Sequence, residues 1–306
     1  MVKQASSAVP SPVSQDSPRI LQWGINLFFL ALSALIVVPF LLVLSISLTR
    51  EQSLLDFGYR FIPKEFSLQA YRLIFANPGQ LLRAYGVTAL VTAIGTTAAL
   101  FLTSLIAFVI ARRDYAYRRA TTLFIFFTML FSPGIVPTYI LVTRVMHLQN
   151  TIWALIVPYL LNPFHVMLLK GFLDKLPGEI VESAKIDGCS EFRIYSRIVL
   201  PLAKPALATV GLLIAFAYWN DWWLGLLFID NQNQVPLQLL LYRIMNQIEF
   251  LSNQFIHSNV AVDLSQFPSL STRMAMAILA AGPMMFIFPL FQRFFVGGLT
   301  VGSVKG

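Results

Sequence analysis

Long apolar stretches separated by short polar segments dominate this sequence. Six of them are long enough to cross a membrane, because about 20 apolar residues span the roughly 30 Å of hydrocarbon as a helix, and a helix satisfies its own backbone polar groups there. The six predicted spans cover residues 20–48, 81–111, 120–142, 152–169, 202–229 and 274–295. The pattern predicts an all-α, polytopic membrane protein. Residues 20–306 form its single transmembrane domain, and residues 1–19, rich in Ser and Pro, form a disordered N-terminal segment.

Prolines predict interruptions in the third and fourth spans. Pro133 and Pro137 fall in the third span, and Pro158 and Pro163 fall in the fourth. Proline has no backbone N–H and its ring collides with the preceding turn, so each position predicts a kink or a break. Such a bend is either an ordinary packing kink or a place where protein or a water-filled path covers the freed carbonyl groups.

Two polar segments between the spans are long enough to carry structure of their own. Residues 50–80 contain several aromatic side chains and predict short interfacial helices. Residues 230–272 predict a polar loop, which either contacts a partner outside the membrane or caps the bundle.

Composition supports a membrane location. Hydrophobic residues make up 57% of the chain and charged residues 12%, about half the charged fraction of a typical soluble domain. The net charge of +8 lies in short basic clusters between apolar blocks, a distribution that favours orientation in a membrane over binding of nucleic acid. The single cysteine, Cys189, excludes an internal disulfide. The sequence has no phosphate-binding loop and its three histidines lack metal-ligand spacing, so it predicts neither ATP hydrolysis nor a metal site in this chain.

Basic residues predict the orientation. Six spans place both termini and the segments 112–119 and 170–204 on one side, which carries fourteen of the 22 Lys and Arg residues. The short segment 112–119 has four arginines, and short loops follow the positive-inside rule best. Both termini and the segment 170–204 are therefore predicted to be cytoplasmic.

The stretch 176–201 is polar, carries charges of both signs and lies between two apolar blocks. Pro177 can begin a helix, and Gly188 can end it in the left-handed conformation. Ser190 can cap a second helix, which Pro201 interrupts. The first helix has an apolar stripe that includes Ala184, a small side chain that allows close approach of another surface.

The same stretch resembles the EAA loop of the inner-membrane permeases of ABC importers. That pattern is Glu-Ala-Ala, a Gly four residues later, and Ile-x-Leu-Pro after a further nine-residue gap. With all the spacings intact, the chain matches it at Glu182, Ala184, Gly188, Ile198, Leu200 and Pro201, with Asp187 before the glycine. It departs at Ser183, where the family prefers Ala, and at Cys189, where the family often has Ala. Both replacements are small, so close approach is preserved.

Two further segments are similar to the carbohydrate-uptake branch of these permeases. They are Tyr-Trp-Asn-Asp-Trp at 218–222 and the C-terminal tail at 297–306. The resemblance covers residues 20–306 and implies a sugar as cargo. The cargo that this branch implies is an oligosaccharide or a fragment of a polysaccharide, and uronate polymers such as alginate belong to that class.

The resemblance implies a type I ABC importer permease fold and a division of labour among subunits. The helix around Glu182 would be a coupling helix seated in a cytoplasmic ATPase, two copies of which would bind ATP and Mg²⁺. The chain itself would not be an enzyme. A second, similar permease would complete the translocation path, and an extracytoplasmic solute-binding protein would deliver the sugar. The implied location is the cytoplasmic (inner) membrane of a bacterium. Residues 303–306 would lie near the ATPase.

Residues near the end of the fifth predicted span are candidates for contact with the cargo. Trp219, Asn220, Asp221 and Trp222 combine aromatic faces with polar groups, which suits sugar rings, and an ionisable residue within an apolar span is a functional candidate. The same tryptophans are also typical of the aromatic belt at a membrane interface.

Two other classes of protein are alternatives to a permease. A secondary transporter would show internal symmetry, and a membrane enzyme acting on lipid-linked saccharides would need clustered acidic residues or histidines. The sequence shows neither feature.

Overall fold

The computed structural model describes residues 19–131, 133–257 and 269–300. The predicted disordered segment 1–19 and the tail residues 303–306 therefore lie outside the described part of the chain, apart from Arg19. Within that part the regular structure is helical, and the only β-type pairing is an isolated bridge between Thr49 and Phe66. The predicted all-α class is confirmed.

Helices of very different lengths build the described chain. The α-helices are α1 Arg19–Ser47, α2 Glu51–Phe57, α3 Gln69–Ile74, α4 Pro78–Ala111, α5 Arg118–Leu130, α6 Ile135–Ile140, α7 Ile152–Ile156, α8 Pro163–Leu173, α9 Gly178–Ile186, α10 Glu191–Ile194, α11 Leu200–Leu202, α12 Lys204–Trp219, α13 Trp223–Phe228, α14 Leu237–His257 and α15 Ser269–Thr300. Wide π-helical turns cover Leu141–Val145 and Tyr195–Val199, and 3₁₀ turns cover Val157–Tyr159 and Gln232–Gln234.

Three of the predicted spans are continuous helices and three are bent. The first, second and sixth spans correspond to α1, α4 and α15, which are each long and apolar enough to cross a membrane. The third is divided between α5 and α6, and the fourth bends by 49° before α8. In the fifth, the segment that contains α10 and α11 meets α12 at 83°, and α12 ends at Trp219 instead of continuing to residue 229.

Three of the four prolines of the third and fourth spans lie in the first turns of helical segments, and Pro133 lies in the break between α5 and α6. Pro163 is the first residue of α8, where the Asn162 side chain accepts a hydrogen bond of 2.9 Å from the Phe164 N–H. Pro158 lies in the first turn of a 3₁₀ segment, and Pro137 is the third residue of α6. A first-turn N–H has no partner within its helix, so the missing donor costs little there. The predicted breaks in these spans are confirmed.

Helix α4 is the central element, because α5, α7, α8, α12 and α14 all pack on it. Its buried face carries small residues four positions apart: Gly95, Ala99, Thr103 and Ala107. Small side chains at this spacing allow another helix backbone to approach closely. At Gly95 that neighbour is Tyr218 of α12, whose ring occupies the space a Cβ atom would need.

The prediction of a polar loop over residues 230–272 is wrong for the central part of that segment, because Leu237–His257 form α14. Leu237, Leu240 and Leu241 are buried in the core, at the spacing of one helical face. The backbone N–H of Leu237 donates to the Thr88 hydroxyl of α4 at 2.7 Å. The polar residues at 231–234 and along the outer face concealed this helical period in the sequence.

The segment after α1 contains the predicted short helices, α2 and α3. At the start of α2, Glu51 is 2% exposed. One carboxylate oxygen accepts from the Ser269 hydroxyl and the Leu270 N–H, and the other accepts from the Ser271 N–H and hydroxyl, at 2.8–3.1 Å. A carboxylate at a helix N-terminus satisfies backbone donors and complements the helix dipole. Glu51 therefore fixes the beginning of α15.

The segments that the basic residues assign to opposite sides do lie at opposite ends of the bundle. The turn after α4 contacts the start of α10 through an Arg112–Glu191 ion pair and the end of α8 through an Arg118–Asp174 ion pair. At the other end, the Asn150 side chain accepts from the backbone N–H groups of 230 and 231. The end that carries α9 is called the coupling end below.

Gly95→Ala should destabilise the bundle by about 1–3 kcal/mol, the usual cost of forcing an extra methyl into a packed core. An ideal Cβ at Gly95 would lie 2.6 Å from the Tyr218 Cζ atom, and the Tyr218 hydroxyl is held by a 2.9 Å hydrogen bond to the Ile156 carbonyl. The free energy of unfolding in detergent, followed by tryptophan fluorescence, measures the effect. Gly86→Ala on the same helix is the control, since its Cβ would meet nothing within 4 Å. Equal stabilities of the two variants would contradict the tight contact.

Glu51→Gln should cost about 1–3 kcal/mol, the penalty for leaving buried donors unpaired. The amide places an NH₂ group against donors that need an acceptor, and it removes the negative charge. Glu65→Gln is the control, because Glu65 is exposed and, among the described residues, its side chain pairs with Arg50 alone, at 3.1 Å. The same unfolding assay applies, and an equal loss in both variants would rule out a special role for Glu51.

Candidate functional site

Helix α9 has a defined beginning and end. Pro177 precedes the helix instead of forming its first residue, and Glu179 lies in the first turn. Gly188 has φ +73°, its N–H donates to the Lys185 carbonyl, and the Cys189 N–H donates to the Ala184 carbonyl, both at 3.0 Å. This pair of hydrogen bonds is the Schellman motif, which supplies donors to the last carbonyl groups of a helix. The prediction that Gly188 ends this helix in the left-handed conformation is confirmed.

One face of α9 packs on its own chain and another is open. Ala184 is 6% exposed and belongs to the core, so its small side chain lets α9 pack on this chain. The surface that approaches Ala184 closely is therefore that of the bundle of the same chain. Glu179, Glu182, Ser183 and Ile186 have the spacing of one helical face, and all are exposed. Ile186 is 87% exposed, an unusual position for an isoleucine beside three polar residues.

An ion-pair network attaches α9 to the turn that follows α4. Arg112 donates two hydrogen bonds to Asp114, at 2.9 and 2.8 Å, and contacts Glu191 at 2.8 Å. Lys185, in the last turn of α9, bridges Asp114 and Glu191. Hydrogen bonds from Arg112 and Lys185 hold the pKa of Asp114 well below its usual range, and the Asp114 carboxylate raises the pKa of both bases. The network therefore stays charged at neutral pH.

The segment after α9 carries the rest of the motif. Ser190 lies at the N-cap position of α10, as predicted, although its side chain makes no capping hydrogen bond. Ile198 lies in the π turn and is partly buried, as is Leu200 at the start of α11, and Pro201 is exposed. The Tyr195 hydroxyl in the same turn hydrogen-bonds the Ser104 hydroxyl of α4 at 2.7 Å.

Pro201 was predicted to interrupt this helix, and that prediction is wrong in position. The helix continues through Leu202, and the 83° bend lies at Ala203. In the π turn, the Leu200 N–H bonds the carbonyl five residues earlier, at Tyr195. Pro201 then stands in the first turn of α11, where a missing N–H is tolerated. The bend turns the chain from α11 into α12.

The four cargo-contact candidates lie where α12 ends. The Trp219 side chain is 5% exposed and its Nε1–H donates to the Ala280 carbonyl of α15 at 3.0 Å. The Asp221 carboxylate accepts from the Tyr159 hydroxyl at 3.0 Å and from the Leu224 N–H at 3.1 Å, next to the first turn of α13. Asn220 and Trp222 are exposed, and the Trp222 ring stacks on Tyr242 with centroids 4.7 Å apart. The structure thus divides the candidates into two with interior partners and two at the surface.

A cavity of about 430 Å³ opens beside this cluster, and sequence reasoning missed it. Its lining includes Tyr159 and Asn162 from the break between α7 and α8, and His165 from the first turn of α8. Met129 of α5 and Ala217 of α12 also line it. Polar groups at a helix break within a span are expected where the break faces a cavity or a water path. The prolines at 158 and 163 were the sequence signal for it.

Among the described residues, no group of three or more His, Cys, Asp or Glu side chains is close enough to hold a metal ion.

Known proteins match this chain over most of its length. The family model described as "Binding-protein-dependent transport system inner membrane component" matches residues 99–301. Protein LplC of Bacillus subtilis is 37% identical over 282 residues, covering 92% of this chain and 94% of LplC. The polygalacturonan/rhamnogalacturonan transport system permease protein YtcP of the same organism is 35% identical, covering 91% of this chain and 96% of YtcP.

A solved structure shares the fold. It is a chain from the crystal structure of a bacterial ABC transporter involved in the import of the acidic polysaccharide alginate. The TM-score is 0.75 and the sequence identity 21%, and the match covers 93% of this chain and 100% of that chain.

Proposed function

This chain belongs to the family of binding-protein-dependent transport system inner membrane components, and we propose from this membership that it is a permease subunit of an ATP-driven sugar importer. It is a multi-pass membrane protein with the fold of an ABC importer permease. The observation that carries the proposal is α9: a short helix with a closed end, anchored to the bundle by Ala184 and Lys185, whose opposite face is exposed.

The exposed face of α9 is the proposed contact with a cytoplasmic ATPase subunit. Glu182 would pair with a basic residue of that subunit, and Ile186 would enter its apolar cleft. The coupling residues are those of the motif: Glu182, Ser183, Ala184, Asp187, Gly188, Ile198, Leu200 and Pro201. Ala184 contributes by holding α9 against this chain. ATP and Mg²⁺ would be bound by two ATPase copies, and the coupling end with both termini would be cytoplasmic.

Movement of α9 would be transmitted to the membrane-spanning helix α12 through α10 and α11, which follow α9 in the chain. The segment α10–α11 is joined to α12 through the bend at Ala203, and α12 packs on α4 along its small-residue face. A displacement of α9 by an ATPase would therefore turn α12 against α4. Helices that pack as rigid units transmit such shifts between two discrete arrangements.

A second permease is the proposed partner within the membrane. Helix α1 has no buried residue in its most apolar window, and on α5 the rings of Phe124 and Phe127 and the Leu130 side chain are exposed. Apolar surface of this extent needs lipid or another protein to cover it. An extracytoplasmic solute-binding protein would dock at the opposite end of the bundle, near α2, α3 and the start of α14.

The proposed cargo is an oligosaccharide or a fragment of an acidic polysaccharide. The relative YtcP is named for polygalacturonan and rhamnogalacturonan transport, both polymers that contain uronic acids. Asn220 and Trp222 are exposed at the end of α12, so they would meet the sugar directly. Trp219 and Asp221 would shape the path through Ala280 and Tyr159.

The assembled importer should hydrolyse ATP faster when uronate-containing oligosaccharides and the solute-binding protein are both present. The chain would be co-purified with the permease, ATPase and binding protein from its genetic neighbourhood, and ATP hydrolysis measured for a panel of saccharides. Neutral oligosaccharides of the same length are the control for the acidic group. No stimulation by any saccharide would contradict the sugar assignment, and failure of the subunits to co-purify would contradict the importer.

Glu182→Arg should leave the chain inserted but lower uptake by at least about tenfold, since like charges in an interface cost several kcal/mol. ATP hydrolysis would no longer respond to the cargo. Uptake into proteoliposomes and cargo-stimulated ATP hydrolysis measure the two effects. Glu249→Arg is the matched control, because it makes the same charge change on an exposed glutamate outside the coupling end and away from the start of α14. Unchanged uptake and assembly in Glu182→Arg would disprove the coupling role.

A further inference from the structure

A basic groove at the coupling end has no assigned role. It has a volume of about 880 Å³ and lies between the turn that follows α4, the first half of α5 and the last part of α8. Arg113, Arg119 and Lys170 line its outer part, and Leu123, Phe126 and Met167 line its inner part. We call it the basic groove.

Two of its cations have no carboxylate partner in the described chain. Asp114 forms ion pairs with Arg112 and Lys185. Asp174 forms ion pairs with Arg118 at 3.1 Å and with Lys170 at 2.5 Å. Arg113 and Arg119 are both exposed and make no ion pair or side-chain hydrogen bond among the described residues. The groove therefore presents uncompensated positive charge at its mouth.

Apolar residues continue the groove inward along the helices. On α5, Arg119, Leu123 and Phe126 share one face, and Phe126 lies about 10 Å further along the helix than Arg119 at a rise of 1.5 Å per residue. On α8, Met167 lies one turn inside Lys170. Leu123 is 58% exposed and Phe126 45% exposed, so this apolar wall is open. A phospholipid matches this arrangement, because its charged phosphate is followed by an apolar acyl chain.

We propose that the basic groove binds an anionic phospholipid of the surrounding bilayer. Its phosphate lies between the guanidinium groups of Arg113 and Arg119, and one acyl chain lies along Leu123, Phe126 and Met167. Basic pockets between membrane helices bind lipid headgroups in this manner. A soluble phosphate would use only the outer part, and an acidic protein surface would leave the apolar wall uncovered. The site does not depend on what the chain transports.

The test is binding of phosphatidylglycerol to the purified, full-length chain in detergent, with phosphatidylcholine measured in parallel. A fluorophore on the acyl chain reports the apparent affinity. Wild-type protein should prefer phosphatidylglycerol, and the double variant Arg113→Gln/Arg119→Gln should bind it on the order of tenfold more weakly, with phosphatidylcholine unchanged. The matched control is Arg72→Gln/Arg83→Gln, which removes two exposed arginines outside the coupling end and should bind like wild type.

Four outcomes would overturn the proposal. The first is an equal affinity of the double variant and the control for phosphatidylglycerol. The second is displacement of the lipid by inorganic phosphate, which would identify a soluble anion as the ligand. The third is unchanged lipid binding with loss of ATPase co-purification, which would identify a protein contact. The last needs no variant: photoreactive phosphatidylglycerol should label Leu123, Phe126 or Met167 in wild-type protein, and labelling confined to other helices would contradict the site.

Discussion

The close approach of α12 to α4 is the contact on which the rest of the arrangement depends. The Tyr218 ring lies in the space left by the missing side chain of Gly95, and its hydroxyl is tied to the Ile156 carbonyl before the break between α7 and α8. Gly211 makes a similar contact, since a Cβ there would lie 3.2 Å from a Leu100 methyl group. Without a hydrophobic driving force between helices in lipid, close packing of this kind is a main source of association. It also sets the position of α12, to which α9, α10 and α11 are joined along the chain.

The two ends of the bundle are held by different chemistry. At the coupling end, ion pairs among Arg112, Asp114, Lys185 and Glu191 attach α9, and of these side chains Arg112 is 12% exposed and the others 39–60%. Ion pairs with mostly exposed partners contribute modestly to stability. At the opposite end, the buried carboxylate of Glu51 holds the start of α15 through four hydrogen bonds. Apart from the buried Ala184, α9 is therefore attached by polar groups near the surface, whereas the attachment of α15 is buried.

The candidate site was predictable to different degrees. The end of α9 at Gly188 follows from local backbone chemistry, because a glycine accepts the left-handed conformation at low cost. The burial of Ala184 could not be read from the motif, since it depends on which face of α9 meets the bundle. The same holds for Trp219 and Asp221, whose partners Ala280 and Tyr159 are about 60 residues away in the chain.

The sequence by itself determined the helical class, the approximate spans, the grouping of the basic loops at one end and the family, because each depends on composition or on residues close together in the chain. Only the tertiary structure showed α14, the buried Glu51, the contact of Tyr218 with Gly95 and the bend at Ala203 instead of Pro201. These features depend on contacts between segments that are distant in the chain. Such contacts override the local conformational preference of a residue where another helix supplies its hydrogen-bond partner or packs against it. The stretch around Glu182 lies between the two cases: its motif is local, but the face it leaves open was set by packing.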